Sequence, residues 1–108
     1  MSQLVKKHWS YFQLLMNTTS KTQRKHLLDT ITNDQLRALV QIVVNFLQRV
    51  IPIAPGPRAK LRRQRNLIRR IGDTSVNLRE KKILLCRQGA TVAFLLKSLE
   101  PALKTFIK

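Results

Sequence analysis

The residues with the clearest chemical character in this sequence are the arginines and lysines between positions 55 and 73. The stretch PGPRAKLRRQRNLIRRIGD carries seven of them before its single acid, Asp73. A guanidinium group stays charged in proteins, and its planar fork holds two phosphate oxygens at once. The chemistry that this segment predicts is therefore the binding of phosphate groups.

These charges separate from the apolar residues when residues 58–71 are placed on a helix, where side chains three or four positions apart share a face. An arginine ridge follows steps of four, three and four: Arg58, Arg62, Arg65 and Arg69. The apolar side chains gather on the other side: Leu61, Leu67, Ile68 and Ile71. The pattern predicts a docked amphipathic helix rather than a disordered basic tail. We expect Gly72 to end it in the left-handed conformation.

A second basic helix is predicted over residues 78–88, closed by Gly89. The residues GDTSV would join the two helices, which allows a helix-turn-helix with residues 78–88 in the major groove. Because the second helix uses Leu78, Ile83, Leu84 and Leu85 for packing, few of its side chains remain to read bases. The predicted nucleic-acid contacts over both helices are Arg58, Lys60, Arg62, Arg63, Arg65, Arg69, Arg70, Arg79, Lys81, Lys82 and Arg87.

The charge of the whole chain also indicates a polyanionic partner. Its 108 residues include 21 Lys and Arg against 5 Asp and Glu, a formal net charge of +16. This excess repels itself in the folded monomer, and a polyanion relieves the repulsion. Nucleic acid is the first candidate, an anionic membrane the second and an acidic protein the third.

The sequence lacks the patterns of common catalytic and metal sites. Its acids are scattered, and it has no CxxC, HxxxH or glycine-rich phosphate loop. His8, His26 and Cys86 are too few for a structural zinc site in one chain. We expect no enzyme activity, no cofactor and no metal. His8 and Cys86 are expected in the core, and Cys86, as the single cysteine, forms no internal disulfide.

The N-terminal residues lack the uninterrupted apolar run and the small-residue cleavage site of a secretory signal. No apolar stretch approaches the roughly 18–20 residues that cross a bilayer. We therefore expect a protein of the nucleus or of a virion interior, neither secreted nor membrane-spanning.

The apolar periodicity predicts an all-α fold, a compact bundle of four to six short helices without disulfides. Residues 1–108 are expected to form one domain, with an apolar half (1–51), a proline-rich, non-helical linker (52–57), a basic helical pair (58–88) and an apolar C-terminal helix (91–108). The first helix is predicted over residues 3–16, and the most apolar one, residues 33–51, at the centre. The C-terminal helix should bend or restart at Pro101 and pack in the core, a membrane-active segment being the alternative. Capping patterns mark helix starts at Ser20, Thr32 and Asn77.

One series of motifs covers much of the chain. A helix ending in QLRALVQIVVNFL precedes a proline-bearing linker, a basic segment, VNLR, the turn LLCRQG and an apolar tail. Over roughly residues 18–96 this series resembles small basic proteins of Maverick/Polinton elements and adintoviruses. Such proteins are similar in layout to the basic core proteins of adenoviruses, which condense the packaged genome. The resemblance implies that six arginines contact genome phosphates: Arg58, Arg62, Arg63, Arg65, Arg69 and Arg70. The tail departs from the pattern, since related tails are glycine-rich.

The sequence thus predicts non-catalytic, largely sequence-independent binding of double-stranded DNA, with genome condensation in a virus-like or transposon-derived particle. One alternative is a structural or adaptor protein that binds a capsid, another protein or an anionic membrane through its apolar helices. Another is an RNA-binding or helix-turn-helix DNA-binding protein. Charge does not separate DNA from RNA, and the oligomeric state stays open.

Overall fold

A computed structural model describes residues 3–48 and 55–107, apart from the side chains of residues 106 and 107. These residues form eight helices: α1 (Gln3–Lys7), α2 (Trp9–Asn17), α3 (Lys21–Asp29), α4 (Asn33–Leu47), α5 (Pro55–Arg62), α6 (Arg65–Gly72), α7 (Leu78–Arg87) and α8 (Gly89–Ile107). They pack into a body of 31 × 30 × 29 Å. The predicted all-α bundle is confirmed.

The helices outnumber the four to six expected because two predicted helices are each divided. The helix predicted over residues 3–16 becomes α1 and α2, which meet at His8. The basic helix predicted over residues 58–71 becomes α5 and α6, with a turn at Arg63 and Gln64. Neither division contains a proline or a glycine, so the sequence offers no local signal for it.

The prediction that residues 52–57 are not helical is wrong over the last three positions. α5 begins at Pro55 and includes Gly56 and Pro57. Proline is tolerated in the first turn of a helix, because the amides there have no intrahelical partner. Residues 52–54 lie outside the described residues, as do positions 49–51 of the predicted central helix.

α4 and α8 form the centre of the bundle. α4 packs against α1, α6 and α7, and α8 packs against α2, α3, α5 and α7. The side chains that these two helices bury are Leu36, Ala38, Leu39, Ile42, Val43, Val92, Ala93, Leu95, Leu96, Leu99 and Leu103. α8 is one helix with Pro101 in its interior, so no new helix starts there. None of the helices in the described part of the chain combines the length and apolar content that a bilayer crossing requires.

Side-chain caps begin three helices at the predicted positions. Thr32 and Gln35 form a complete capping box, in which Thr32 Oγ1 accepts the Gln35 amide at 3.1 Å and Gln35 Oε1 accepts the Thr32 amide at 2.9 Å. Ser20 and Asn77 cap α3 and α7, each accepting a backbone amide at 3.2 and 2.9 Å respectively. These bonds satisfy amides that have no partner inside the helix, which fixes where each helix starts.

Two glycines allow helices to approach closely. Gly72 is the last residue of α6 and Gly89 the first of α8, and neither adopts a left-handed conformation. A Cβ on Gly72 would lie 2.9 Å from Leu47 Cδ1, and one on Gly89 would lie 2.9 Å from Leu28 Cδ1. The expected left-handed ending at Gly72 is therefore wrong, and the missing side chain instead makes room for α4. Gly89 makes room for α3.

We expect Gly89→Ala to destabilise the protein by about 1–3 kcal/mol, because the added methyl group overpacks the contact with Leu28. Leu28 is fully buried and has little room to move. Gly56→Ala is the matched control, since apart from its chain neighbours and its own helix backbone nothing lies within 4 Å of the Cβ position of Gly56. Alanine there should change the free energy of unfolding by less than about 0.5 kcal/mol, because its helix propensity is offset by the contact of its Cβ with the ring of Pro57. Urea denaturation compares the two variants, and equal stability would contradict close packing at Gly89.

Candidate nucleic-acid interface

α5 and α6 carry their arginines on the outside of the bundle. α5 buries Leu61 and packs against α8, while α6 buries Ile68 and Ile71 and packs against α4 and α7. Six arginine side chains on and between the two helices are exposed: Arg58, Arg62, Arg63, Arg65, Arg69 and Arg70. The predicted separation of apolar and charged faces is confirmed, although it extends over two helices instead of one.

The turn between α5 and α6 interrupts the predicted arginine ridge. The Gln64 amide donates to the Leu61 carbonyl at 2.9 Å, and the Gln64 carbonyl accepts from the Ile68 amide at 3.1 Å. The first bond spans three residues and ends α5, and the second spans four and opens α6. The continuous helix predicted over residues 58–71 is therefore wrong, and the ridge is divided between helices that rest on different neighbours.

A depression lies at this turn, lined by Ala59, Arg62, Arg63, Arg65 and Asn66. We call it the α5–α6 depression. Three arginines and one asparagine belong to its lining, and no acidic residue does. Gln64 precedes α6 without a side-chain cap among the described residues. Backbone amides at a helix start favour a negatively charged group, so this place combines several donors for one anion.

Three of the five carboxylates form ion pairs on other helices. Between described residues there are three ion pairs, Lys25–Asp29 at 3.7 Å, Arg37–Asp34 at 3.1 Å and Lys104–Glu100 at 3.9 Å. Each joins residues three or four positions apart on one helix. No ion pair in the described ranges includes Arg62, Arg63, Arg65, Arg69 or Arg70. Their charge is therefore not neutralised by the described part of the protein.

Lys60 has an aromatic partner. Its Nζ lies 4.5 Å from the centroid of the Phe94 ring, so the ammonium group makes a cation–π contact between α5 and α8. Phe94 is half-buried below it. Lys60 was predicted as a phosphate contact, and the structure gives it a further role in holding α5 on the bundle.

The basic residues of α7 differ in exposure. Arg79 and Arg87 are exposed, Lys82 is half-buried, and Lys81 is buried with only 3% of its surface accessible. Burial lowers the pKa of Lys81, and the nearby Asp73 carboxylate partly offsets this. The surface position expected for Lys81 is wrong, because the residue faces the interior of the bundle. Ile83, expected in the core, is 47% exposed.

We expect Lys81→Met to leave the salt dependence of duplex binding nearly unchanged and to raise stability by up to about 1 kcal/mol. Methionine fills the buried position without a charge to desolvate. Arg79→Met is the matched control, because it removes the same charge from an exposed position. The control should reduce the slope of log affinity against log salt concentration by about 1. We call this quantity the salt slope. Fluorescence anisotropy and urea denaturation measure both effects, and an equal loss of slope in both variants would place Lys81 at the interface.

No protein-family model, curated protein or solved structure matches this chain.

His8 and Cys86 have partly buried surroundings. His8 is half-buried at the junction of α1 and α2, where its Nε2 is buried without a hydrogen-bond partner among the described residues. Cys86 is half-buried rather than in the core, and its Sγ donates to Asp29 Oδ1 at 3.1 Å. Burial, and then this hydrogen bond, raise the pKa of the Cys86 thiol. In the described ranges, no three His, Cys, Asp or Glu side chains gather as metal ligands.

Ala59 and Asn66 line the depression but were not among the predicted contacts, and Asn66 is the polar one of the two. Asn66 lies between Arg65 and Leu67, and an uncharged polar side chain at this position gives no sign of a role in binding. Its place beside Arg62 and Arg63 agrees with spacings of four and three positions, which put side chains on one face of a helix. Arg65 would lie about 160° from Arg63 on a continuous helix, and it joins the same lining at the turn at Gln64.

Proposed function

We propose that this protein binds double-stranded DNA through its phosphates, without catalysis and with little sequence preference. The main support is a set of exposed arginines on and between α5 and α6 that form no ion pair with a carboxylate among the described residues: Arg62, Arg63, Arg65, Arg69 and Arg70. A face that serves solubility alone ordinarily mixes acids with bases. α5 and α6 contain no acid, so these helices have the composition of a polyanion-binding face.

A duplex is favoured over a single strand by the absence of aromatic residues from the basic helices. Proteins that bind single strands stack bases on aromatic side chains. α5, α6 and α7 contain no Phe, Tyr or Trp. The nearby ring of Phe94 is half-buried and in contact with Lys60. The basic face therefore offers phosphate contacts without a platform for bases.

The proposal extends to condensation of a genome in the nucleus or in a virus-like or transposon-derived particle. The resemblance to small basic proteins of Maverick/Polinton elements and adintoviruses supports this extension. The net charge of +16 on 108 residues supports it as well. A protein with this charge density neutralises phosphates along a duplex and reduces the repulsion between neighbouring duplex segments.

A salt titration tests the proposal with three ligands: random-sequence duplex DNA, the same single strand and phosphatidylserine vesicles. We expect duplex binding to be the tightest, with log affinity falling linearly with log salt concentration. Contact with about 6–10 phosphates would lower affinity by about 10³–10⁵ between 50 and 200 mM salt. Duplex binding that is weak even at low salt, or weaker than vesicle binding, would contradict the proposal.

A second candidate function is an adaptor that binds a capsid or another protein through apolar side chains. Leu14, Leu47 and Ile83 favour it, since they are 57%, 37% and 47% exposed. Polar substitution of Leu14 and Ile83 would then abolish partner binding and leave duplex binding intact. Phe94 does not add to these exposed apolar side chains, because it is half-buried under Lys60.

A further inference from the structure

We propose that the α5–α6 depression is a discrete site for a single phosphate group. Arg62, Arg63 and Arg65 would hold its oxygens, and the Asn66 amide would donate a further hydrogen bond. The inference deepens the proposed function and rests on it, because the same arginines belong to the surface proposed to contact DNA. In addition, the depression would hold one phosphate in a defined position, whereas the other exposed basic residues of α5, α6 and α7 would attract DNA by charge alone.

The turn at Gln64 supports this distinction. On an uninterrupted helix, Arg63 would lie about 100° from Arg62 and about 200° from Arg65 around the axis. Of these three side chains, Arg62 and Arg65 would then share one face, and Arg63 would point away from Arg65. In the structure they line one depression, because α5 ends and α6 begins between them. Arg69 and Arg70 are exposed on α6 and do not belong to that lining.

The chemistry of the lining fits a phosphate. A guanidinium group donates two parallel hydrogen bonds to adjacent anionic oxygens, and such charge-assisted bonds are stronger than neutral ones. Three arginines and one asparagine line the depression, and no acidic residue in its lining would compete with the ligand. The phosphate could be part of a nucleic-acid backbone or a free inorganic phosphate, and both share the same tetrahedral set of anionic oxygens.

Substitution by lysine separates geometry from charge. The triple variant R62K/R63K/R65K keeps the net charge but loses the planar forks. The matched control is R69K/R70K/R79K, which makes the same three changes at exposed arginines outside the depression. Both variants retain the apolar side chains that hold α5 and α6.

The experiment is an NMR titration of backbone amides in the wild type and both variants, at constant ionic strength. One arm uses inorganic phosphate, and the other uses a short duplex without terminal phosphates. In the wild type we expect saturable shifts concentrated at residues 62–67. The depression variant should bind at least about tenfold more weakly, and the control should stay within about twofold.

The two arms of the titration distinguish a nucleic-acid phosphate from inorganic phosphate. They also test the discrete site separately from the proposed duplex binding. Localised, saturable shifts in either arm support the site, and the arm in which they occur identifies the ligand. Shifts spread evenly over α5, α6 and α7, or equal losses in both variants, would overturn the discrete site while leaving duplex binding intact. Saturation by inorganic phosphate without any duplex binding would instead keep the site and overturn the proposed function.

Discussion

The triple variant R62E/R65E/R69E is expected to bind duplex DNA at least about 100-fold more weakly than the wild type at about 0.1 M salt. Each substitution removes a phosphate contact and places a carboxylate against the backbone of the DNA. The salt slope should fall by about 3, one unit for each lost contact. Fluorescence anisotropy with labelled duplex over a range of salt concentrations measures both quantities.

A charge-matched control separates a located interface from a general electrostatic effect. K6E/K21E/K97E changes the net charge by the same amount, three substitutions of two charges each, at exposed positions on α1, α3 and α8. It should keep most of the affinity, because none of the three lysines belongs to α5, α6 or α7, the helices proposed to contact the duplex. Equal losses in the two variants would show that no particular face binds the duplex. Circular dichroism should show unchanged helicity in both.

Phe12→Ala is expected to lower the free energy of unfolding by about 3–5 kcal/mol. Phe12 is fully buried on α2, which packs against α8, and its ring meets Tyr11 edge to face with centroids 5.6 Å apart. Removal of the ring leaves a cavity and loses this contact. The free energy of unfolding of a folded protein is about 5–15 kcal/mol in total. The variant would therefore be partly unfolded at moderate temperature. Urea denaturation gives the value.

Leu14→Ala provides the comparison on the same helix. Leu14 is 57% exposed, so its truncation should cost within about 0.5 kcal/mol. If Leu14→Ala were as costly as Phe12→Ala, the orientation of α2 on the bundle would be wrong. DNA binding of the folded fraction should be unchanged in both variants, since α2 is not part of the basic surface.

Features that depend on short spacings could be predicted from the sequence. The Thr32–Gln35 capping box connects residues three positions apart, so its signal is local. The apolar side of the basic segment was predicted correctly, because Ile68 and Ile71 lie three positions apart and both are buried. The central place of α4 followed from the amount of apolar surface that it has to cover.

Features that depend on tertiary packing could not be predicted. α5 rests on α8, whereas α6 rests on α4 and α7, and the chain turns at Gln64 to reach both supports. The α5–α6 depression lies at this turn, where Arg63 and Arg65 belong to the same lining. The burial of Lys81 has the same kind of cause, since its position on α7 faces the bundle interior although its side chain is charged. Periodicity within one helix contains no information about which neighbours it meets.

The confinement of the ion pairs to single helices has a consequence for how the protein responds to its medium. Because the ion pairs between described residues join no two helices, dissolved ions weaken little of the packing that holds the bundle together. The same ions screen the mutual repulsion of 21 basic side chains. Under the proposed function, concentrated electrolyte would release the protein from its polyanion while making the free fold more robust, so detachment and unfolding are separate events.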